Sequence, residues 1–364
     1  MGLAIGIVGL PNVGKSTLFN AITNAGIAAE NYPFCTIDPN SGIVEVPDHR
    51  LKALSDISKS EKLIPATIEF TDIAGLVKGA SRGEGLGNQF LSHIRQSNAI
   101  AHIVRCFDDP NIIHVEGRVN PLEDIDIINL ELIMADLQSI EKAIDTQRKK
   151  AKGTNKEEID RLAVFEKVQA HLSQSKPVRQ LDLSPTEQEL LKSNPLITNK
   201  KTIYVANVSE SEVSTGNSYS QLVQEFAKSQ GDEFTLISAK IEEEIASLPK
   251  EDQPLFLEEI GLTESGLNKL AKVCYSLLGL QTYLTSGQKE TRAWTIPIGF
   301  KAPQAAGVIH TDFEKGFIRA NIISFDEYIA HNGWKGAKEK GILRQEGKDY
   351  IMKDGDVVEF LFNV

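Results

Sequence analysis

Lys15 and Ser16 close the run Gly9-Leu10-Pro11-Asn12-Val13-Gly14-Lys15-Ser16, which follows the apolar stretch Ala4-Ile5-Gly6-Ile7-Val8. The spacing is G-x-x-x-x-G-K-[ST], and the chemistry it serves is the cradling of a nucleoside triphosphate. Gly9 and Gly14 let the backbone curl so that successive N–H groups point at one phosphate. Lys15 then places a point charge between the β- and γ-phosphates, and the Ser16 hydroxyl is positioned for Mg²⁺. Thr17 to Ile22 continue as a helix whose N-terminal partial charge adds to the attraction. Asn12, Val13, Gly14, Lys15, Ser16 and Thr17 are therefore the expected phosphate-site residues.

Hydrolysis needs a metal and an oriented water. Asp72-Ile73-Ala74-Gly75 ends an apolar run at 67–71 and has the D-x-x-G form, in which Asp72 holds Mg²⁺ and the Gly75 N–H meets the γ-phosphate. Thr36, in Tyr32-Pro33-Phe34-Cys35-Thr36-Ile37, is the threonine expected to complete the Mg²⁺ shell with Ser16 and Asp72. Position 76, where Ras-like GTPases carry a water-orienting glutamine, is Leu76, which can neither donate nor accept a hydrogen bond. Backbone groups of 79–88, a bound cation or a side chain from another loop must supply the orientation. His114 is the candidate side chain, since an imidazole can orient or deprotonate water near neutral pH. Asn12 is the candidate for holding a monovalent cation such as K⁺.

Base choice rests on Asn207-Val208-Ser209-Glu210, which stands where guanine readers have N-K-x-D. There the aspartate accepts from guanine N1–H and the 2-amino group, and the lysine stacks on the base. Val208 replaces that lysine, and Glu210 is longer by one methylene. Adenine offers an acceptor at N1 and no 2-amino donor, so a carboxylate on that edge gains less. The Asn207 amide is expected to pair with N7 and the N6 amine, with Ser238, Ala239 and Lys240 beneath the base. The expectation is ATP over GTP.

These loops need a scaffold. Apolar runs at 67–71, 99–105, 202–206 and 234–237 alternate with helical patterns, which implies right-handed βαβ units and a mainly parallel α/β sheet, with the loops at the carboxyl ends of its strands. Leu130, Met134, Leu137, Ile140 (or Glu141) and Ile144 recur at helical spacing, as do Ile159, Leu162, Phe165, Val168 and Leu172 after a polar break at 150–156. That pattern predicts an antiparallel helical hairpin inserted in the sheet domain. Beyond 278, short strands at 292–298, 316–323 and 357–362 predict a small α+β domain.

Composition is that of an ordinary globular chain: 364 residues, 41% hydrophobic and 24% charged. No apolar stretch approaches the roughly 20 residues that span a bilayer, and the first residues lack a secretory signal, so a cytoplasmic location without membrane contact is expected. Cys35, Cys106 and Cys274 are too scattered for a disulfide framework or a zinc site and are expected as free thiols. Net charge is −11, which argues against adhesion to nucleic acid by overall charge, and no DNA specificity is expected. Residues 278–364 carry eleven basic and eleven acidic side chains, so the whole negative excess lies in 1–277.

Taken together, the phosphate loop through Asn20, Asn31 to Ile37, Asp72 to Val77, Gly83-Glu84-Gly85-Leu86-Gly87-Asn88, Asn207 to Glu210, and, near the C terminus, His310 to Arg319 and Gly347 to Ile351 resemble the YchF family of Obg-like ATPases. The resemblance implies a P-loop G domain at 1–128 and 200–277, a helical coiled-coil arm at 129–199, and a C-terminal β-grasp (TGS) domain at 278–364. It also implies slow, Mg²⁺-dependent ATP hydrolysis, a hydrophobic residue at position 76, ribosome binding, and a link to translation and stress responses. An RNA-facing basic groove would draw on Lys289, Arg292, Lys301, Lys315 and Arg319. Cys35, beside the switch threonine, is a candidate redox site.

Overall fold

The computed structural model describes residues 3–25, 41–72, 86–115, 117–153 and 155–363. Its strands, in chain order, are β1 (Ala4–Val8), β2 (Ser41–Glu45), β3 (Lys62–Ile64), β4 (Thr67–Asp72), β5 (Ala99–Arg105), β6 (Lys201–Asn207), β7 (Glu233–Ile237), β8 (Leu280–Ser286), β9 (Glu290–Pro297), β10 (Phe317–Ser324), β11 (Arg344–Glu346) and β12 (Asp356–Phe362). The first five helices are α1 (Lys15–Ala25), α2 (His49–Ser58), α3 (Leu86–Gln96), α4 (Pro121–Lys150) and α5 (Lys156–Leu172). The chain divides into two compact units, one of residues 1–44 and 69–270 and one of residues 45–68 and 271–364.

The first unit is built on a sheet of order β2-β4-β1-β5-β6-β7, in which β4, β1, β5, β6 and β7 run parallel. Ile5, Ile7, Val8, Ala99, Ala101, Ile103 and Ile203 are buried almost completely. Continuous apolar strands of this kind belong to parallel sheets covered on both faces. The register sets Arg105 beside Asn207, and Ile7 beside Asp72, at the carboxyl ends of their strands. The loops that follow these strands consequently surround one opening.

The expected helical hairpin forms. Asn120 caps α4 by accepting from the Glu123 N–H, Pro121 opens its first turn, and Arg148, Lys149 and Lys150 end it. Acid at the start and base at the end of a helix suit its dipole. Ile133, Ile140 and Ile144 of α4 pack on Val164, Phe165, Val168 and Leu172 of α5 in a core separate from that of the sheet. The apolar stripe runs one residue off the expected face at the start of α4: Leu130 and Met134 are about half exposed, and Ile133 takes the buried position. Ile159 of α5 is likewise exposed. The buried Asp136 carboxylate accepts from the Ile197 and Thr198 N–H groups and the Thr198 hydroxyl, tying α4 to the approach to β6.

The second unit holds a sheet of order β11-β10-β12-β8-β9-β3. β8 and β9 form an antiparallel hairpin, the helix Ala302–Ile309 follows, and β12 returns parallel to β8 and antiparallel to β10. This is the order expected of a β-grasp. One boundary differs from the expectation that all of 1–128 lies in the G domain: β3 pairs in parallel with β9, and α2 reaches this unit through the Arg50–Asp354 ion pair at 2.7 Å. Residues 45–68 thus complete the C-terminal unit, a long-range pairing that no local pattern announces. Among the described residues no helix is long and apolar enough to cross a membrane.

Candidate functional site

The loops after β1, β5, β6 and β7 enclose a cavity of about 1050 Å³ in the first unit. Asn12, Gly14, Lys15, Ser16, Thr17 and Asp72 line one end, and Asn207, Val208, Glu210, Ser238, Ala239 and Lys240 line the other. Among the described residues the structure therefore gathers nearly every expected contact in one place. Thr36, Gly75, Leu76 and Cys35 lie outside the described residues.

At the phosphate end the backbone is shaped by tight approaches. A Cβ on Gly9 would stand 2.5 Å from the Ile103 carbonyl oxygen, and one on Gly14, at φ +97°, would collide with the Asn207 amide. Neither position tolerates a side chain. Asn12 adopts φ +61° and donates from Nδ2 to the Ile113 carbonyl oxygen at 3.1 Å, so a K⁺ role would fall to its Oδ1. Lys15 is buried and donates to the Gly9 and Leu10 carbonyl oxygens at 2.8 and 2.6 Å. Burial lowers its pKa to about 8, with the Asp72 charge partly opposing the shift. The same desolvation raises Asp72, against the pull of Lys15. Ser16 and Asp72 contribute a hydroxyl and a carboxylate, the hard oxygen donors that suit Mg²⁺ when phosphate and water complete its shell. No cluster of three or more His, Cys, Asp or Glu that could hold a metal occurs among the described residues.

At the base end Asn207 has a structural task as well. Its side chain is buried, Nδ2 donates to the Val13 carbonyl oxygen at 2.8 Å, and Oδ1 accepts the Ala239 N–H at 2.9 Å. The amide braces two loops against each other while still lining the cavity, and its second Nδ2 hydrogen is left over for a base. Val208 is buried where a stacking lysine would be, and Glu210 forms an ion pair with Lys240. Ser238 is buried beneath, and Ala239 begins the helix Ala239–Ser247.

His114 is not brought to the cavity in this conformation. Its ring is buried and Nε2 lies 2.9 Å from the Asp124 carboxylate in the first turn of α4. Orienting water would fall to the other ring nitrogen, Nδ1. A second wall went unanticipated: Phe107, Asp108, Asp109 and Ile112, after β5, face the cavity. The signal was available, since β5 neighbours β1 and its carboxyl end must open on the same crevice.

Elsewhere, Cys106 and Cys274 are buried free thiols, as expected, and burial pushes the Cys274 thiol up to about 12. Of the basic candidates, Lys301 pairs with Asp349 at 2.8 Å and Arg292 stacks over Trp294 at 4.0 Å, whereas Lys315 and Arg319 are exposed.

Strand order and phosphate loop define a P-loop nucleotide-binding protein of the GTPase class. A family model described as "50S ribosome-binding GTPase" matches residues 4–167, and a YchF C-terminal model, described as a protein of unknown function, matches residues 280–363. The chain is 56% identical over 364 residues to the ribosome-binding ATPase YchF of Escherichia coli O157:H7 and 53% identical over 366 residues to that of Bacillus subtilis (strain 168), each match covering all of both chains. The solved Schizosaccharomyces pombe YchF GTPase superposes with a TM-score of 0.88 at 39% identity, covering 99% of this chain and 98% of that one. The chain belongs to the YchF family.

Proposed function

We propose that this chain is an Mg²⁺-dependent ATPase of slow turnover that binds the ribosome and modulates translation or the stress response from the cytoplasm. The observation that carries the choice of ATP is the Glu210–Lys240 ion pair: the only carboxylate at the N-K-x-D position is neutralised by a neighbour, and Val208 offers no stacking cation. Guanine's N1–H and 2-amino donors thereby meet an acceptor already shared with a lysine. The bacterial relatives are named ribosome-binding ATPases, although the fission yeast relative and the N-terminal family model are named as GTPases.

Ser16 and Asp72, with Thr36, are the residues that would hold Mg²⁺, which when bound neutralises charge on the phosphate oxygens. Lys15 supplies the fixed positive charge, and the Gly75 N–H would meet the γ-phosphate. Catalysis then rests on positioning more than on a strong base. Equilibrium titration of non-hydrolysable ATP and GTP analogues, followed by ribosome co-sedimentation in each nucleotide state, tests the reading. Tighter GTP binding overturns the nucleotide choice, and absence of the chain from the ribosome pellet in every state overturns the partner.

A further inference from the structure

Arg105, the last residue of β5, is almost wholly buried and is not among the residues that line the cavity. Its guanidinium nevertheless organises the wall that is. Nε donates to the Phe107 carbonyl oxygen at 3.1 Å, Nη1 to that of Ile112 at 3.0 Å, and Nη2 makes a longer contact of 3.5 Å to that of Asp109. The charged plane also lies 4.6 Å from the centre of the Phe107 ring. One side chain therefore fixes both ends and the middle of the 107–112 loop, and Phe107, Asp109 and Ile112 all face the cavity. Cys106, just before the loop, donates its N–H to the Asn207 carbonyl oxygen at 2.8 Å, and Asp109 within it lies close enough to Lys240 to act on its charge, so the wall belongs to the base end of the cavity; Ile113, beyond the wall, accepts from Asn12.

We propose that Arg105 is a positioning residue for the nucleotide site, acting through the 107–112 wall and the Phe107 ring on the base and ribose half of the ligand while leaving the triphosphate half untouched. The inference rests on the reading of this cavity as a nucleotide site. Its physical basis is the geometry of the guanidinium. A rigid fork of five donors can hold three diverging carbonyls, whereas the three donors of an ammonium radiate from one atom and cannot reach them together. Lysine at this position would keep the charge and lose the wall.

The test compares full-length wild type, Arg105→Lys and Phe107→Leu for binding of a non-hydrolysable ATP analogue and of inorganic tripolyphosphate, with hydrogen exchange of 107–113 read in parallel. Arg105→Lys is expected to weaken the ATP analogue about tenfold, leave tripolyphosphate within twofold, and speed exchange in the loop. Phe107→Leu should weaken the ATP analogue by several fold, and the double variant should lose less than the product of the two. Equal weakening of both ligands would mark Arg105 as a merely structural residue and overturn the proposal, as would unchanged ATP affinity. Should Arg105→Lys fail to fold, Phe107→Leu decides, because it leaves the backbone bonds of Arg105 in place: unchanged ATP affinity there removes the wall from binding. Failure of wild type to bind the ATP analogue would instead sink the nucleotide reading itself.

Discussion

Asn207 and Val13, 194 residues apart in the chain, are joined by a buried 2.8 Å hydrogen bond from the Asn207 Nδ2 to the Val13 carbonyl oxygen. With the Ala239 N–H on Oδ1, this amide couples the phosphate loop to the loop after β7. A brace and a base reader have different signatures when removed. Asn207→Ala should weaken ATP, GTP and tripolyphosphate alike, by about tenfold or more, because each buried group left without its partner costs roughly 1–3 kcal/mol. Isothermal titration with the three ligands checks this. Selective loss of ATP would show that Asn207 also reads adenine.

Lys15 makes nucleotide affinity depend on pH. Burial lowers its pKa to about 8, and a bound triphosphate stabilises the ammonium and raises it. Below pH 8 the lysine is already charged, so affinity is flat. Above it, binding must take up a proton, and the dissociation constant should rise by up to roughly tenfold per pH unit until the pKa of the complex is reached. Titration at pH 8.5 in buffers of different ionisation enthalpy should reveal that proton uptake, and Lys15→Arg should abolish it.

The pairing of His114 with Asp124 sets a test of the water-orienting role. In this conformation the ring is held by α4. If His114 acts on water, Asp124 orients its ring, so Asp124→Asn should lower turnover several-fold with KM for ATP unchanged, and His114→Ala should lower it by about 10²-fold, within the range of general acid–base effects. A His114→Ala protein that hydrolyses ATP at the wild-type rate ends the proposal.

His102, on β5, is completely enclosed and packs against Tyr204 with ring centroids 5.4 Å apart. Burial, with smaller contributions from Arg179 and Lys15, holds its pKa down to about 3. The folded chain thus keeps the ring neutral while the unfolded chain takes a proton near pH 6.5, so stability is full above 6.5 and falls as the pH drops toward 3. At pH 5 this one group should cost about 2 kcal/mol. Urea midpoints at pH 7.5 and pH 5 for wild type and His102→Leu would show it, the variant losing less on acidification.

What was legible in the sequence was local. The phosphate loop could be read because its glycines, lysine and serine lie within one strand, turn and helix, and the chemistry demands those types at that spacing. The parallel sheet and helical hairpin were legible for the same reason, since apolar period reports which face is buried. Three features were decided only when the chain closed on itself. Asn207 became a brace because β6 brings it under Val13. Glu210 lost its freedom because the loop after β7 sets Lys240 beside it. Residues 45–68 joined the C-terminal sheet because β9 offered an unpaired edge to β3. Each depends on a partner far away in sequence, and a hydrogen bond or ion pair leaves no periodic trace in the residues that make it.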